Sequence, residues 1–165
     1  MIKFKYCGTH LEDEEYMNKM SALGWNTKSL VEGFWNFEKG QKNEYIYRIY
    51  YFRGMNKQEI NKKIKELKSK NIDFVNQYSF WGIFKSKKDF KLYTDEEQLE
   101  LCKKIRNPMQ IAMIICPALI IILIILTINI HKLFSILLIL LTIYYLVCLY
   151  LTISYTKLIN KIIKN

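Results

Sequence analysis

Residues 108–130, PMQIAMIICPALIIILIILTINI, and residues 133–156, LFSILLILLTIYYLVCLYLTISYT, decide the architecture of this chain. Between Arg106 and Lys132, and again between Lys132 and Lys157, there is no Asp, Glu, Lys or Arg, and each gap is about 25 residues long. A helix rises about 1.5 Å per residue and the hydrocarbon core of a bilayer is about 30 Å thick, so either run suffices to span it. Only Ile130-His131-Lys132 interrupts the apolar character. A connection that short makes the two helices an antiparallel hairpin.

Outward from the runs, most of the charge and every acidic residue lie on the N-terminal side. The fifteen acidic residues lie before Pro108 with twenty-one of the twenty-five basic ones, which leaves a charged segment of net +6 followed by four lysines. Met1 to Glu15 lacks the apolar region of a signal peptide, so the spans themselves are expected to serve as the targeting signal. Lys103, Lys104 and Arg106 precede the first span, and Lys157, Lys161 and Lys164 follow the second. The positive-inside rule then predicts a plasma-membrane protein with both termini cytoplasmic. Cys7 and Cys102 would lie where thiols stay reduced, and Cys116 and Cys148 in apolar surroundings; no spacing resembles a zinc or redox motif. The sequence pI near 9.4 suits a basic surface beside anionic lipid. A chain rich throughout in Lys, Ile and Asn needs no nucleic acid to explain it.

The expected organisation is a cytoplasmic domain over 1–90, a connecting helix over 91–107, transmembrane helices over 108–130 and 133–155, and a basic tail over 156–165. Pro108 suits the first turn of the first span, and Pro117 within it predicts a kink. Ile2 to Tyr6 reads as a short strand. His10 to Leu23 reads as a helix, with Thr9 as N-cap, acids at Glu12 to Glu15 facing the positive end of the dipole, and Gly24 as the stop. Trp25 to Phe37 is an extended stretch, and Glu44 to Arg53 a strand expected to pair with it as a hairpin through Lys39-Gly40-Gln41-Lys42-Asn43. Lys57 to Lys70 is a second helix, N-capped by Asn56, with Ile60, Ile64 and Leu67 on its buried stripe. Phe74 to Phe80 and Trp81 to Lys85 supply a strand pair or one bent strand. A third helix over Lys91 to Ile105, capped by Thr94 or Asp95, leads to the membrane. Helix, Gly24-Trp25 and Trp35-Asn36-Phe37-Glu38-Lys39 recur as helix, Asp73-Phe74 and Trp81-Gly82-Ile83-Phe84-Lys85. Such a degenerate repeat predicts an α+β, ferredoxin-like β-α-β-β-α-β domain, with two helices on one face of an antiparallel sheet.

The run from Glu15-Tyr16-Met17 to Leu23-Gly24-Trp25, the Phe34-Trp35-Asn36-Phe37 and Tyr45-Ile46-Tyr47-Arg48 strands, Trp81-Gly82-Ile83-Phe84-Lys85 and Leu92-Tyr93-Thr94-Asp95 together resemble the DUF2812 family over residues 1 to 106. The resemblance implies C-terminal transmembrane segments, as many members carry, and a bacterial setting beside transcriptional regulators of the PadR type. It implies no catalytic residues, because the family's function is unknown. Ile72-Asp73-Phe74 departs from the family's second Gly-Trp pair, which puts the turn geometry of the second half-repeat in question.

Aromatic residues are the anomaly of the first 107 positions, which hold nineteen of them. In Glu44 to Arg53, Tyr45, Tyr47, Ile49 and Tyr51 alternate with Ile46, Arg48, Tyr50 and Phe52, so both faces of this strand are apolar or aromatic. A sheet covered on one side only should be polar on the other. Either a loop or the third helix covers the second face, or that face packs on another protein or a second copy, a use to which Tyr and Trp are suited. A small apolar ligand is a third occupant. The candidate partner-binding face is Trp35, Tyr45, Tyr47, Tyr51 and Trp81. Nucleic acid is disfavoured, since no RNP-like word lies on the central strand. Lys57, Lys62, Lys63, Lys65, Lys68 and Lys70 read as the solvated face of the second helix. No Cys-His, Ser-His-Asp or paired-carboxylate arrangement and no phosphate loop is found, so no catalytic, metal or cofactor residue is assigned. The expected function is a membrane-anchored, non-enzymatic binding or sensory module acting with a regulator or membrane partner. Its rival is an accessory or immunity subunit whose hairpin binds a transporter or a membrane-active peptide.

Overall fold

The computed structural model describes residues 1–129 and 133–164, and the chain divides into two units, Met1–Leu92 and Tyr93–Asn165. The first contains β1 (Ile2–Phe4), α1 (His10–Ala22), β2 (Trp25–Val31), β3 (Phe34–Lys39), β4 (Ile46–Tyr51), α2 (Lys57–Ser69), β5 (Asp73–Tyr78) and β6 (Trp81–Ser86). The second contains α3 (Asp95–Asn129) and α4 (Leu133–Lys164). The class is α+β followed by a helical pair, as the sequence implies. The strands, however, form two antiparallel three-stranded sheets instead of one. Sheet A has the order β1-β3-β2 and sheet B the order β4-β6-β5.

Local chemistry accounts for the helices. Thr9 is extended (φ −141°), and its hydroxyl accepts from the Glu12 amide while the Glu12 carboxylate accepts from Gly8. Asn56 and Glu59 form a full capping box on α2. Gly24 (φ +83°) ends α1, and Asn71 (φ +60°) stands in the equivalent left-handed position after α2. The turn that lacks a Gly-Trp pair therefore keeps its geometry through an asparagine.

The expected hairpin across Lys39 to Asn43 does not form. Glu32 (φ +48°) and Gly33 (φ +83°) make a two-residue turn with both angles positive, the kind that matches strand twist, so Trp25 to Lys39 folds back on itself as β2 and β3. β4 pairs instead with β6, across α2.

Each half has the same β-α-β-β plan, at one constant spacing. His10 to Lys57, Gly24 to Asn71, Glu32 to Ser79 and Phe34 to Trp81 are all 47 positions apart, and the members of each pair hold corresponding places in helix, turn and strand. The bulges in β2, between Thr27 and Ser29, and in β5, between Phe74 and Asn76, obey the same spacing. Those two strands run alongside each other as neighbouring sheet edges. A bulge interrupts ladder pairing, and the Asn76 amide instead donates to the Leu30 carbonyl across the seam (3.2 Å).

Two cores result. Met17 and Met20 of α1 pack with Leu30, Trp35 and Phe37 of sheet A and with Tyr47, Ile49 and Ile83 of sheet B. Leu67 of α2 packs with Phe52, Ile72 and Phe84, flanked by Ile60, Ile64, Tyr50 and Phe74. Sheet B is thus covered on both faces, which explains why its strands are apolar on both. α1 is shared, lying on sheet A with one side and on sheet B with the other, and α2 covers the far face of sheet B.

In the second unit, α3 begins with a Thr94–Glu97 capping box and runs unbroken through Pro108 and Pro117. The expected change of helix at residue 108 is absent. A proline removes its own N–H and crowds one carbonyl, whereas ending the helix there would unpair several peptide groups at once. Segments Asp95–Ile125 and Ile136–Lys164 are long and apolar enough to cross a membrane, and their apolar side chains face outward, with Ile114 78% exposed. α3 and α4 pack through Cys102, Tyr155 and Ile159. The turn expected at Ile130-His131-Lys132 lies outside the described residues.

Candidate functional site

The five aromatic residues singled out from the sequence do not share a surface. Trp35 and Tyr47 are 0% exposed. The Trp35 indole stacks with Phe37, meets Tyr16 edge-on at 5.2 Å, and donates to the Lys5 carbonyl (3.0 Å). The Tyr47 hydroxyl accepts from the Thr27 amide (2.9 Å), joining sheet B to sheet A; burial pushes that phenol up to about 12. Tyr45 and Trp81 are half-buried against the same core, and Tyr51 packs on Trp81 at 4.4 Å. Burial under α1 removes Trp35 and Tyr47 from any surface the unit presents.

The alignment of the repeat accounts for the difference. Trp81 corresponds to Phe34, not to Trp35, and Trp35 corresponds to Gly82. A shift of one residue moves a strand side chain to the other face. At Gly82 a Cβ would collide with the ring of Phe52, which fills that space in sheet B as the Trp35 indole does in sheet A.

What α1 does to sheet B was not visible in the sequence. β4 is an edge strand, and three α1 side chains occupy its free polar groups. Ser21 donates to the Tyr45 carbonyl (2.7 Å). Asn18 accepts from the Tyr47 amide (2.8 Å) and donates to its carbonyl (3.2 Å), and Glu14 accepts from the Ile49 amide (2.7 Å). Glu14, Asn18 and Ser21 stand at i, i+4 and i+7, one stripe of a helix, and match alternate residues of the strand. The stripe acts as a side-chain substitute for a fourth strand. Asn18→Ala removes both bonds at Tyr47 and leaves its amide unpaired, so it should destabilise the unit by about 2 kcal/mol. Urea unfolding followed by tryptophan fluorescence measures this, and Lys19→Ala on the exposed side is the control.

The first turns of α1 also carry a buried polar cluster. His10 stacks on Trp81 (5.1 Å, 17°), and burial pushes its pKa down to about 4. Tyr78 donates to Asp13 (2.9 Å), and burial raises Asp13 to about 6 against that bond and one from Cys7. Burial raises Glu14 to about 7, against the Ile49 amide and the Arg48 guanidinium 3.9 Å away. Arg48 also binds Asp89 at 3.0 Å. The Cys7 thiol is pushed up to about 12 by burial and then by Asp13, which keeps it protonated and a poor nucleophile. The acids read as helix-end charges thus divide: Glu12 and Glu15 face water, and Asp13 and Glu14 turn onto sheet B. Among the described residues, no three His, Cys, Asp or Glu side chains converge as a metal site, and all four cysteines are free.

The surface that remains apolar lies on sheet A, on the face away from α1. Ile2 (71% exposed), Phe4 (66%), Val31 (58%) and Phe34 (55%) sit on it, with the Phe4 and Phe34 rings 5.1 Å apart. Their alternation in β1, β2 and β3 was available in the sequence; it was masked by reading Trp25 to Phe37 as one extended stretch.

These features define a duplicated α+β domain continued into two helices long and apolar enough to cross a membrane. The family model for DUF2812, proteins of unknown function, matches residues 10–114, and the chain belongs to that family. No curated protein and no solved structure matches it.

Proposed function

We propose that the protein is a membrane-anchored, non-enzymatic binding or sensory module that works with a regulator or a membrane protein, seated in the plasma membrane with both termini cytoplasmic. The observation that carries this reading is the open apolar face of Ile2, Phe4, Val31 and Phe34. Contiguous exposed apolar groups on a sheet face are a liability unless something covers them. The lysines and Arg106 that flank the two apolar helices favour the orientation. Among the residues first selected, Tyr45, Tyr51 and Trp81 keep part of their surface and border the α1 seam.

Photo-crosslinking in the native host tests the reading. Benzoylphenylalanine at position 34 should give a discrete protein adduct, and the same group at Lys65, on the exposed side of α2, should not. Absence of any adduct specific to position 34 rejects it.

A further inference from the structure

The internal repeat says what kind of object covers the open face. Ile2, Phe4, Val31 and Phe34 are the counterparts, at the 47-position spacing, of Ile49, Tyr51, Tyr78 and Trp81. Those four lie on the face of sheet B that α1 covers. His10 stacks on Trp81, Asp13 accepts from Tyr78, and Glu14 accepts from the Ile49 amide. Each sheet is therefore built to receive one helix on each face: its own, and one that precedes it. Sheet B has both, and sheet A has only its own.

The edge of β1 repeats the pattern. Met1 exchanges both main-chain bonds with Phe37, so by antiparallel alternation the amides of Ile2 and Phe4 point outward, as that of Ile49 does in β4. At Ile49 the acceptor is a carboxylate, next to the Arg48 guanidinium. At β1 Lys3 stands between the two outward amides, and its side chain leaves the strand on the Trp35 face, as that of Arg48 leaves β4 on the face opposite Ile49. Lys5 lies over the Tyr16 ring, and no acid occurs before Glu12. The helix at hand does not fit, because α2 carries Asn61, Lys65 and Lys68 where α1 has Glu14, Asn18 and Ser21, and it makes no contact with β1.

Resting on the binding-module reading, the geometry points to an acidic amphipathic helix of a partner protein as the occupant of sheet A. Its apolar stripe covers Phe4, Val31 and Phe34, and a carboxylate at its edge accepts from the Ile2 amide beside Lys3. Helix-in-groove recognition commonly uses such an i, i+4, i+7 stripe, and the charge pairing supplies orientation and speed of encounter.

The test uses the full-length protein in nanodiscs of neutral phosphatidylcholine. The probes are two labelled synthetic amphipathic helices of about four turns, one with glutamates flanking a leucine stripe and one with lysines in their place. Anisotropy should show the acidic peptide binding about tenfold or more tightly, with Phe34→Ser or Lys3→Glu lowering its affinity about tenfold and Lys65→Glu leaving it unchanged. Unaltered tryptophan emission certifies that the variants are folded. Equal binding of both peptides overturns the inference. So does a Phe34-dependent self-association in sedimentation, or a face that responds only to phosphatidylserine in the disc. A position-34 adduct in the host without acidic-helix preference in vitro rejects this occupant alone, and loss of the adduct rejects the binding module itself.

Discussion

Tyr47→Asp is expected to abolish the folded first unit. The side chain is fully buried, lies between α1 and both sheets, and holds the Thr27 amide through its hydroxyl. Aspartate removes most of the buried ring, which costs about 3–5 kcal/mol by analogy with aromatic truncations. It also leaves the Thr27 amide unpaired and brings a carboxylate into an apolar core, adding several kcal/mol more. A domain stable by about 5–15 kcal/mol does not survive the sum. Tyr51→Asp, at a half-buried position on the same strand, should cost less and leave a cooperative transition. All three tryptophans lie in this unit, at 25, 35 and 81, so their emission reports its unfolding in detergent without interference from the apolar helices. A Tyr47→Asp protein that still unfolds cooperatively would mean that this residue is not in the core.

The second large effect is on pH. Glu14 has its ordinary value of 4.5 when the chain is unfolded and about 7 when folded. Between those values the folded protein keeps a proton that the unfolded chain has released. The stabilisation is complete below 4.5 and lost as pH rises through 7. At 1.36 kcal/mol per unit, the difference is about 3 kcal/mol. Asp13, raised from 3.8 to about 6, acts in the same sense over a lower window, and His10, lowered from 6.5 to about 4, opposes the two carboxyls between those values without outweighing them. Stability to urea should therefore fall from pH 4.5 to 8. Glu14→Gln keeps an acceptor for the Ile49 amide and cannot ionise. It should flatten most of the decline and be more stable than the parent at pH 8 by about 1–3 kcal/mol, the lost attraction of Arg48 accounting for the lower figure. Parallel pH curves for parent and variant would show that Glu14 is not the group responsible.

Helices were legible because their signals are local. Thr9 with Glu12, Asn56 with Glu59, the Ile60-Ile64-Leu67 stripe and the two uncharged runs each lie within a few turns of one another. Strand pairing was not. β4 finds β6 across a whole helix, and nothing near Tyr47 names Lys85 as its neighbour. Residue type also misled. Matching Trp35 with Trp81 is the natural alignment of the repeat, but the true match is one residue away, and with a period of two that turns a core indole into a surface one. The acidic run Glu12 to Glu15 hid a further distinction. About 100° of rotation per residue sends Asp13 and Glu14 inward and their neighbours outward. The stripe of Glu14, Asn18 and Ser21, bordered by Met17 and Met20, was the signal that could have revealed it.

The constant spacing of the two halves has one further consequence. Two copies related by a two-fold axis would close on each other and leave no end unfinished. Here α1 of one half serves the next, and α2 does not return the favour to β1, so the pair is the start of a one-dimensional array with direction. One end is already capped by the lysine-covered side of α2. The other, at sheet A, presents a bare face, so the two halves have a polarity and a further helix would be received at that end alone.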